Sequence, residues 1–237
     1  MTTTVDRRTV LGAGLAGAGG LLVGAGAGQA GTAVAAPRRG KTLASGLAIP
    51  WGIAFLPNGN ALVSERASAY VYRVSRKGGK KRIGRVPGVR DGAGEGGLLG
   101  LALHPRFRDN RWVYAYLSAA SDNRVVRFRF VDGRLGAPQV VLAGIPTDTI
   151  HNGGRLTFGP DGLLYVSTGD ARRRELAQDR DSLAGKILRV TPTGDVPDGN
   201  PFGSPVWTWG HRNVQGLAFD GKGRLWATEL GEKTRDE

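Results

Sequence analysis

The sequence contains no cysteine, which is its most informative absence. Disulfide bonds and thiolate metal sites are therefore excluded, and any metal ion is expected to take oxygen ligands. The chain has 237 residues, which is enough to bury a sizeable core in one domain. Stability is thus expected to come from packing, with bound ions as a possible addition.

Long hydrophobic runs are also scarce, and the longest uncharged stretch, residues 9–37, stands near the N-terminus. It follows Arg7 and Arg8, is rich in glycine, alanine and leucine, and ends in the small-residue pattern Ala33-Val34-Ala35. This order of features is typical of an export signal, and the paired arginines indicate the Tat route. A membrane-spanning helix is the alternative, but glycine and alanine dilute the apolarity that a stable span needs.

These features predict a Tat-type signal peptide over residues 1–36, with cleavage near Ala35 or Ala36, and a mature domain over residues 37–237. We therefore expect an exported protein, periplasmic or attached to the cell envelope or extracellular, with no transmembrane span in the mature chain.

Acidic residues are few, since 20 Asp and Glu stand against 33 Lys and Arg, for a net charge of +13. A basic balance of this size is common in nucleic-acid-binding proteins. Here the cations are scattered through turns and strand ends, apart from the runs 80–82 and 172–174. We therefore expect no nucleic-acid partner, and a basic solvated surface that can adhere to an anionic envelope.

A hairpin pattern recurs four times in place of helical periodicity. Each copy has a glycine, an apolar strand, a turn of Pro, Gly or Asp, and a second apolar strand, which is the composition of a β-hairpin. The copies span residues 51–66, 100–118, 154–170 and 215–231, with Phe55, Leu103, Phe158 and Phe219 in equivalent positions. Their spacing of roughly 50 to 60 residues predicts the blades of a β-propeller.

Four inner hairpins do not close a ring, and the fourth copy stops partway through its blade. An open propeller leaves strand edges and an apolar blade face uncovered. We therefore expect the sequence to be a C-terminally truncated piece of a longer protein, or a chain that needs a partner.

The third copy carries a histidine at its entrance, in "HNGGRLTFGPDGLLYVSTGD" over residues 151–170. His151 thus lies on a loop that feeds a strand, which is where catalytic side chains collect on rigid scaffolds. A surface histidine without a role is the common alternative, and the hairpin alone does not decide between them.

Six motifs together resemble one family. They are "PWGIAFLPNG", "GEGGLLGLALHPRF", "HNGGRLTFGPDG", "SLAGKILRV", "NPFGSPVWTWGHRNVQGLAFD" and "TELG", and the resemblance they carry extends over essentially all the chain from Leu47 to Glu237. In this order they resemble the soluble pyrroloquinoline quinone (PQQ) dependent aldose dehydrogenases, the glucose/sorbosone dehydrogenase family. The resemblance implies an all-β, six-bladed propeller, of which about four blades are present here, with PQQ and a calcium ion as cofactors.

The resemblance also implies roles for single residues. His151 matches the general base that takes the sugar C1 hydroxyl proton, and Asp170 matches the carboxylate that orients it. Arg212 and Asn213 match residues at the quinone. Glu95 stands where the family often has a glutamine that contacts cofactor or substrate, and an ionised carboxylate cannot donate the same hydrogen bond.

The resemblance further places the backbone carbonyls of Gly231 and Glu232 at the calcium ion, which accepts such oxygens. The implied activity is oxidation of an aldose at C1 to a lactone, with electrons passed to PQQ and then to an unknown acceptor. Two alternatives stay open: a calcium-dependent propeller hydrolase of the lactonase kind, and a noncatalytic propeller that binds carbohydrate or protein at the cell surface.

Overall fold

The four repeated hairpins form the inner strands of neighbouring antiparallel sheets in a computed structural model of the chain. The structure describes residues 40–90, 94–232 and 236. The predicted signal peptide, residues 1–36, lies outside the described residues. The chain divides into two units, residues 1–40 and 41–237, and everything below concerns the second.

Three sheets have four main strands each, and a fourth sheet consists of a hairpin. The first blade comprises β1 (Pro50–Phe55), β2 (Ala61–Glu65), β3 (Tyr70–Val74) and β4 (Lys80–Arg85). The second comprises β5 (Leu98–Leu103), β6 (Trp112–Ser118), β7 (Asn123–Val131) and β9 (Gln139–Ile145), with β8 (Arg134–Leu135) paired to the end of β7.

The third blade comprises β10 (Leu156–Phe158), β11 (Leu164–Ser167), β12 (Lys186–Val190) and β13 (Val206–Trp209). The last hairpin pairs β14 (Val214–Phe219) with β15 (Leu225–Glu229). Helix is confined, in the described part of the chain, to α1 (Phe107–Asn110) and α2 (Arg174–Gln178). The predicted all-β propeller class is confirmed, with three blades and the first hairpin of a fourth.

The turn residues explain why the hairpins form where the sequence predicts them. In the third copy the Gly162 N–H donates to the Gly159 carbonyl at 3.0 Å, and Asp161 accepts the Leu163 N–H at 3.1 Å. Gly162 has a φ of 77°, a left-handed conformation that glycine adopts without a steric penalty. The four equivalent residues, Phe55, Leu103, Phe158 and Phe219, are the last residues of the four inner strands.

The core lies between adjacent blades, and the middle blade is buried on both faces. Along β6, Val113, Ala115 and Leu117 pack in a cluster shared with the first blade. Their neighbours Tyr114 and Tyr116 pack in a cluster shared with the third blade. Because side chains alternate along a strand, one strand supplies both interfaces, and apolar residues are needed at every position.

Glycines allow the inner strands of adjacent blades to approach closely. A Cβ added at Gly100 would lie 2.1 Å from the Gly154 carbonyl oxygen, and one at Gly52 would lie 2.5 Å from that of Leu99. The Gly100 N–H donates to the Gly154 carbonyl at 3.1 Å, which ties the second blade to the third. Within the described residues no helix is long and apolar enough to cross a membrane.

Candidate active site

All seven predicted site residues lie at one end of the propeller. In a blade of four antiparallel strands, the loops after the second and fourth strands return to the end where the inner strand starts. Fourth-strand loops carry Glu95 before β5, His151 before β10, and Arg212 with Asn213 before β14. Second-strand loops carry Asp170 after β11, and Gly231 with Glu232 after β15.

His151 and Asp170 form a largely buried pair. His151 Nδ1 lies 2.8 Å from Asp170 Oδ1, and the two side chains are 12% and 3% exposed. The carboxylate is an acceptor, so it selects the tautomer in which Nδ1 carries the proton. The Arg172 N–H also donates to Asp170 Oδ1, at 2.9 Å. Among the described residues no hydrogen-bond partner stands at His151 Nε2, which is the nitrogen left for a ligand.

Glu95 acts on the backbone of His151. Its Oε2 accepts the His151 N–H at 2.8 Å and stands 3.5 Å from Asn213 Nδ2. His151 has a φ of 59°, a left-handed conformation that is costly for a residue with a Cβ. Holding the His151 N–H requires a hydrogen-bond acceptor at this position. A glutamate carboxylate and a glutamine side-chain oxygen can both supply it.

Asn213 is fully buried and fixes the strand entrances around the pair. Its Oδ1 accepts the Gly153 N–H at 3.0 Å and the Gln215 side-chain amide at 2.9 Å. A single β-bridge joins Asn213 to Gly169, next to Asp170. Asn213 thus links the loops of His151 and Asp170.

Arg212 joins this group mainly through its backbone. Its carbonyl accepts the Asp170 N–H at 2.7 Å, and its N–H donates to Glu229. Its guanidinium donates to the Leu230 carbonyl at 2.9 Å. Burial works to raise the pKa of Glu229, but hydrogen bonds from His211 and from the Arg212 N–H outweigh it and lower that pKa.

The two predicted calcium-binding residues, Gly231 and Glu232, lie just after the end of β15. The Gly231 N–H donates to Asp236 at 3.0 Å, and the Glu232 carboxylate pairs with Arg174. Over the described ranges, no group of three His, Asp or Glu side chains is placed to hold a metal ion.

Two recesses flank the histidine and carboxylate pair. One of about 170 Å³ is lined by Trp51, Arg66, Glu95, Asn152, Gly153, Gln215 and Leu230. The other, of about 190 Å³, is lined by Asp170, Arg174, Ala177, Gln178, Gly210, His211, Arg212 and Glu232. All predicted site residues except His151, Asn213 and Gly231 line one of them.

Sequence reasoning missed Trp51, Gln215 and Glu229. Trp51 and Gln215 stand at equivalent positions, just before the glycine of their hairpin repeats. This shared position at the start of an inner strand was the signal that could have identified them as site residues. Glu229 ends β15 and accepts bonds from His211 and Arg212. Nothing local distinguishes it from other strand-end glutamates.

Comparison with known proteins gives a consistent result. A family model described as glucose / sorbosone dehydrogenase matches residues 47–237. A solved structure of PQQ-bound aldose sugar dehydrogenase from Streptomyces coelicolor has 54% sequence identity and a TM-score of 0.81, covering 83% of this chain and 61% of that one.

Two curated proteins are also similar. An uncharacterized protein of Synechocystis sp. is 39% identical, over 81% of this chain and 54% of its own length. Quinoprotein glucose dehydrogenase B of Acinetobacter calcoaceticus is 32% identical, over 83% of this chain and 49% of its own length. The chain thus spans about half the length of the curated relatives it matches.

Proposed function

The chain belongs to the glucose/sorbosone dehydrogenase family, and from this premise we propose that it serves the PQQ-dependent oxidation of an aldose sugar at C1 to the lactone. The observation that carries the proposal is the pair formed by His151 and Asp170, with Nδ1 and Oδ1 at 2.8 Å. A buried carboxylate that orients an imidazole is the arrangement of a general base.

His151 would take the proton of the C1 hydroxyl at Nε2. Asp170 holds the Nδ1 proton and offsets the positive charge that the imidazole gains. Because Glu95 fixes the backbone and Asp170 the ring, Nε2 is held in one orientation toward the ligand. Positioning of this kind contributes to the rate by keeping the base within reach of the hydroxyl.

PQQ, when bound, supplies the acceptor for the hydride that leaves C1. The donor set present fits a planar molecule with several carboxylates, since Arg66 and Arg212 offer guanidinium groups and Gln215 offers an amide at the two recesses. Arg212 and Asn213 are the residues we assign to the quinone end. There a guanidinium can offset negative charge on the ring oxygens.

Calcium would be held by the carbonyl oxygens of Gly231 and Glu232. These are oxygen donors of the class that calcium accepts, and they follow β15 at the end of the propeller where His151 lies. Export is proposed as well, directed by residues 1–36, which lie outside the described residues.

The test is PQQ-dependent dye reduction by the purified chain supplied with PQQ, Ca²⁺, an aldose and an artificial electron acceptor. Dye reduction should require PQQ, and His151→Ala should lower turnover by about two to four orders of magnitude while PQQ binding is retained. His104→Gln is the matched control, because His104 bonds locally to Asn110 outside the site. Turnover by His151→Ala at the parent rate would refute the assignment.

A further inference from the structure

Arg155 is a basic residue that the proposed chemistry does not use. It stands just before β10, on the inner strand of the third blade, and is half-buried. Its Nε donates to the Gln215 carbonyl at 3.0 Å. Its guanidinium carbon lies 4.3 Å from the centre of the Trp51 ring. Arg155 therefore joins inner strands of the first, third and fourth blades.

The charge of Arg155 has no acidic partner among the described residues. The ion pairs found there involve seven other arginine or histidine side chains. Burial lowers the pKa of Arg155, and no carboxylate acts against that shift. By contrast, Arg189 stacks on Trp207 and pairs with Asp161 at 3.1 Å. A half-buried cation without a counter-charge lowers stability, and this is a mark of a functional residue.

The position of Arg155 relates it to the 170 Å³ recess. Both of its partners, Trp51 and Gln215, line that recess, whereas Arg155 itself does not. It therefore contacts two lining residues without facing the recess itself, and it adds a positive charge next to the lining. A positive charge at partial burial attracts an anionic group in the recess more strongly than the same charge in bulk water would.

We propose that Arg155 is a positioning residue for a planar anionic ligand in this recess, holding the Trp51 indole in place and supplying the positive charge that the ligand's carboxylates neutralise. The inference rests on the proposed function, since PQQ is the carboxylate-bearing ligand in question. It gives the arginine of "HNGGR" a role in cofactor affinity, separate from the proton transfer at His151.

The experiment measures PQQ affinity by equilibrium dialysis of the full chain with Ca²⁺, together with urea unfolding of the PQQ-free chain. Arg155→Met keeps a flexible apolar side chain against Trp51 and removes the charge. It should weaken PQQ binding about tenfold or more, the equivalent of about 1.4 kcal/mol. Its urea midpoint should stay close to that of the wild type, because removal of the uncompensated charge offsets the loss of the hydrogen bond to the Gln215 carbonyl. Arg155→Lys should recover most of the affinity.

Arg127→Met is the matched control. Arg127 stacks on Trp112 at 4.4 Å, and neither residue lines the recess, so PQQ affinity should stay unchanged. Affinity of the wild type should also fall more steeply with added salt than that of Arg155→Met.

Three results would overturn the inference. Equal PQQ affinity of wild type and Arg155→Met would overturn it alone and leave the proposed function intact. A lower urea midpoint for Arg155→Met, without rescue of affinity by Arg155→Lys, would show a purely structural role. A wild type that binds no PQQ would overturn the proposed function and this inference together.

Discussion

Replacing Asp170 with asparagine tests the buried pair with the least change in shape. The carboxylate accepts from His151 Nδ1 at 2.8 Å and from the Arg172 N–H at 2.9 Å. An asparagine oxygen can still accept both bonds, because both reach the same oxygen, Oδ1. The negative charge opposite a protonated imidazole is lost. Two unit charges about 4 Å apart at an effective dielectric constant of about 20 interact by about 4 kcal/mol. At 1.36 kcal/mol for each factor of ten, about three orders of magnitude in kcat is the ceiling.

We expect Asp170→Asn to lower kcat by about two to three orders of magnitude, with little change in KM, in the PQQ-dependent dye assay. Equilibrium dialysis with PQQ checks that cofactor occupancy is unchanged. Asp179→Asn is the control, because the Asp179 carboxylate accepts the Asp181 N–H at 3.0 Å in the loop after α2. If Asp170→Asn kept more than about a tenth of the parent kcat at equal occupancy, the pair would be structural and not catalytic.

Two further predictions concern stability. In urea unfolding, Gly100→Ala should lower the free energy of unfolding by about 1–3 kcal/mol, because its Cβ would meet the Gly154 carbonyl oxygen. Gly221→Ala is the control, because a Cβ there meets nothing within 4 Å. Burial lowers the pKa of Lys186 from 10.5 to about 8, against the opposing effect of Asp179. The unfolded chain then binds more protons across that window, so the wild type gains stability as pH rises through it. Lys186→Met lacks this gain, so the free energy of unfolding of the wild type minus that of Lys186→Met should increase as pH rises. A difference that stayed constant with pH would contradict the argument.

The inner part of each blade could be predicted because its signals are local. A turn of Gly, Pro or Asp between two apolar runs specifies a hairpin, and four copies at a regular spacing specify a propeller. The outer strands carry weaker signals. β4 is the run "KKRIGR", which looks like a charged surface segment, and β9 pairs with β7 through two register shifts. Such edges are determined by the strand beside them and not by their own pattern.

The same division between local and long-range signals applies to the site. His151 and Asp170 bracket one hairpin, 19 residues apart, so their meeting follows from hairpin geometry. The contact of Glu95 with the His151 backbone spans 56 residues and joins loops of different blades. Arg155 and Trp51 likewise meet only because the propeller curves. No local pattern encodes such contacts. The assignment of Glu95 to cofactor or substrate stays a prediction, and its bond to the His151 backbone is a second role that only the structure reveals.

Each residue of "HNGGR" has a physical reason to be the residue type found at its position. His151 is held at its N–H, at its ring and at its carbonyl, which accepts the Ala171 N–H at 3.2 Å. Asn152 is buried, and its carbonyl accepts the Tyr116 hydroxyl at 2.9 Å. A Cβ at Gly153 would lie 2.5 Å from the backbone of Thr168, and one at Gly154 would lie 2.7 Å from Leu99. The two glycines thus let the loop pass between strands where a larger residue would displace His151. Because their φ values of 62° and 111° are ones that side-chain-bearing residues rarely adopt, the orientation of His151 depends on them as much as on its hydrogen bonds.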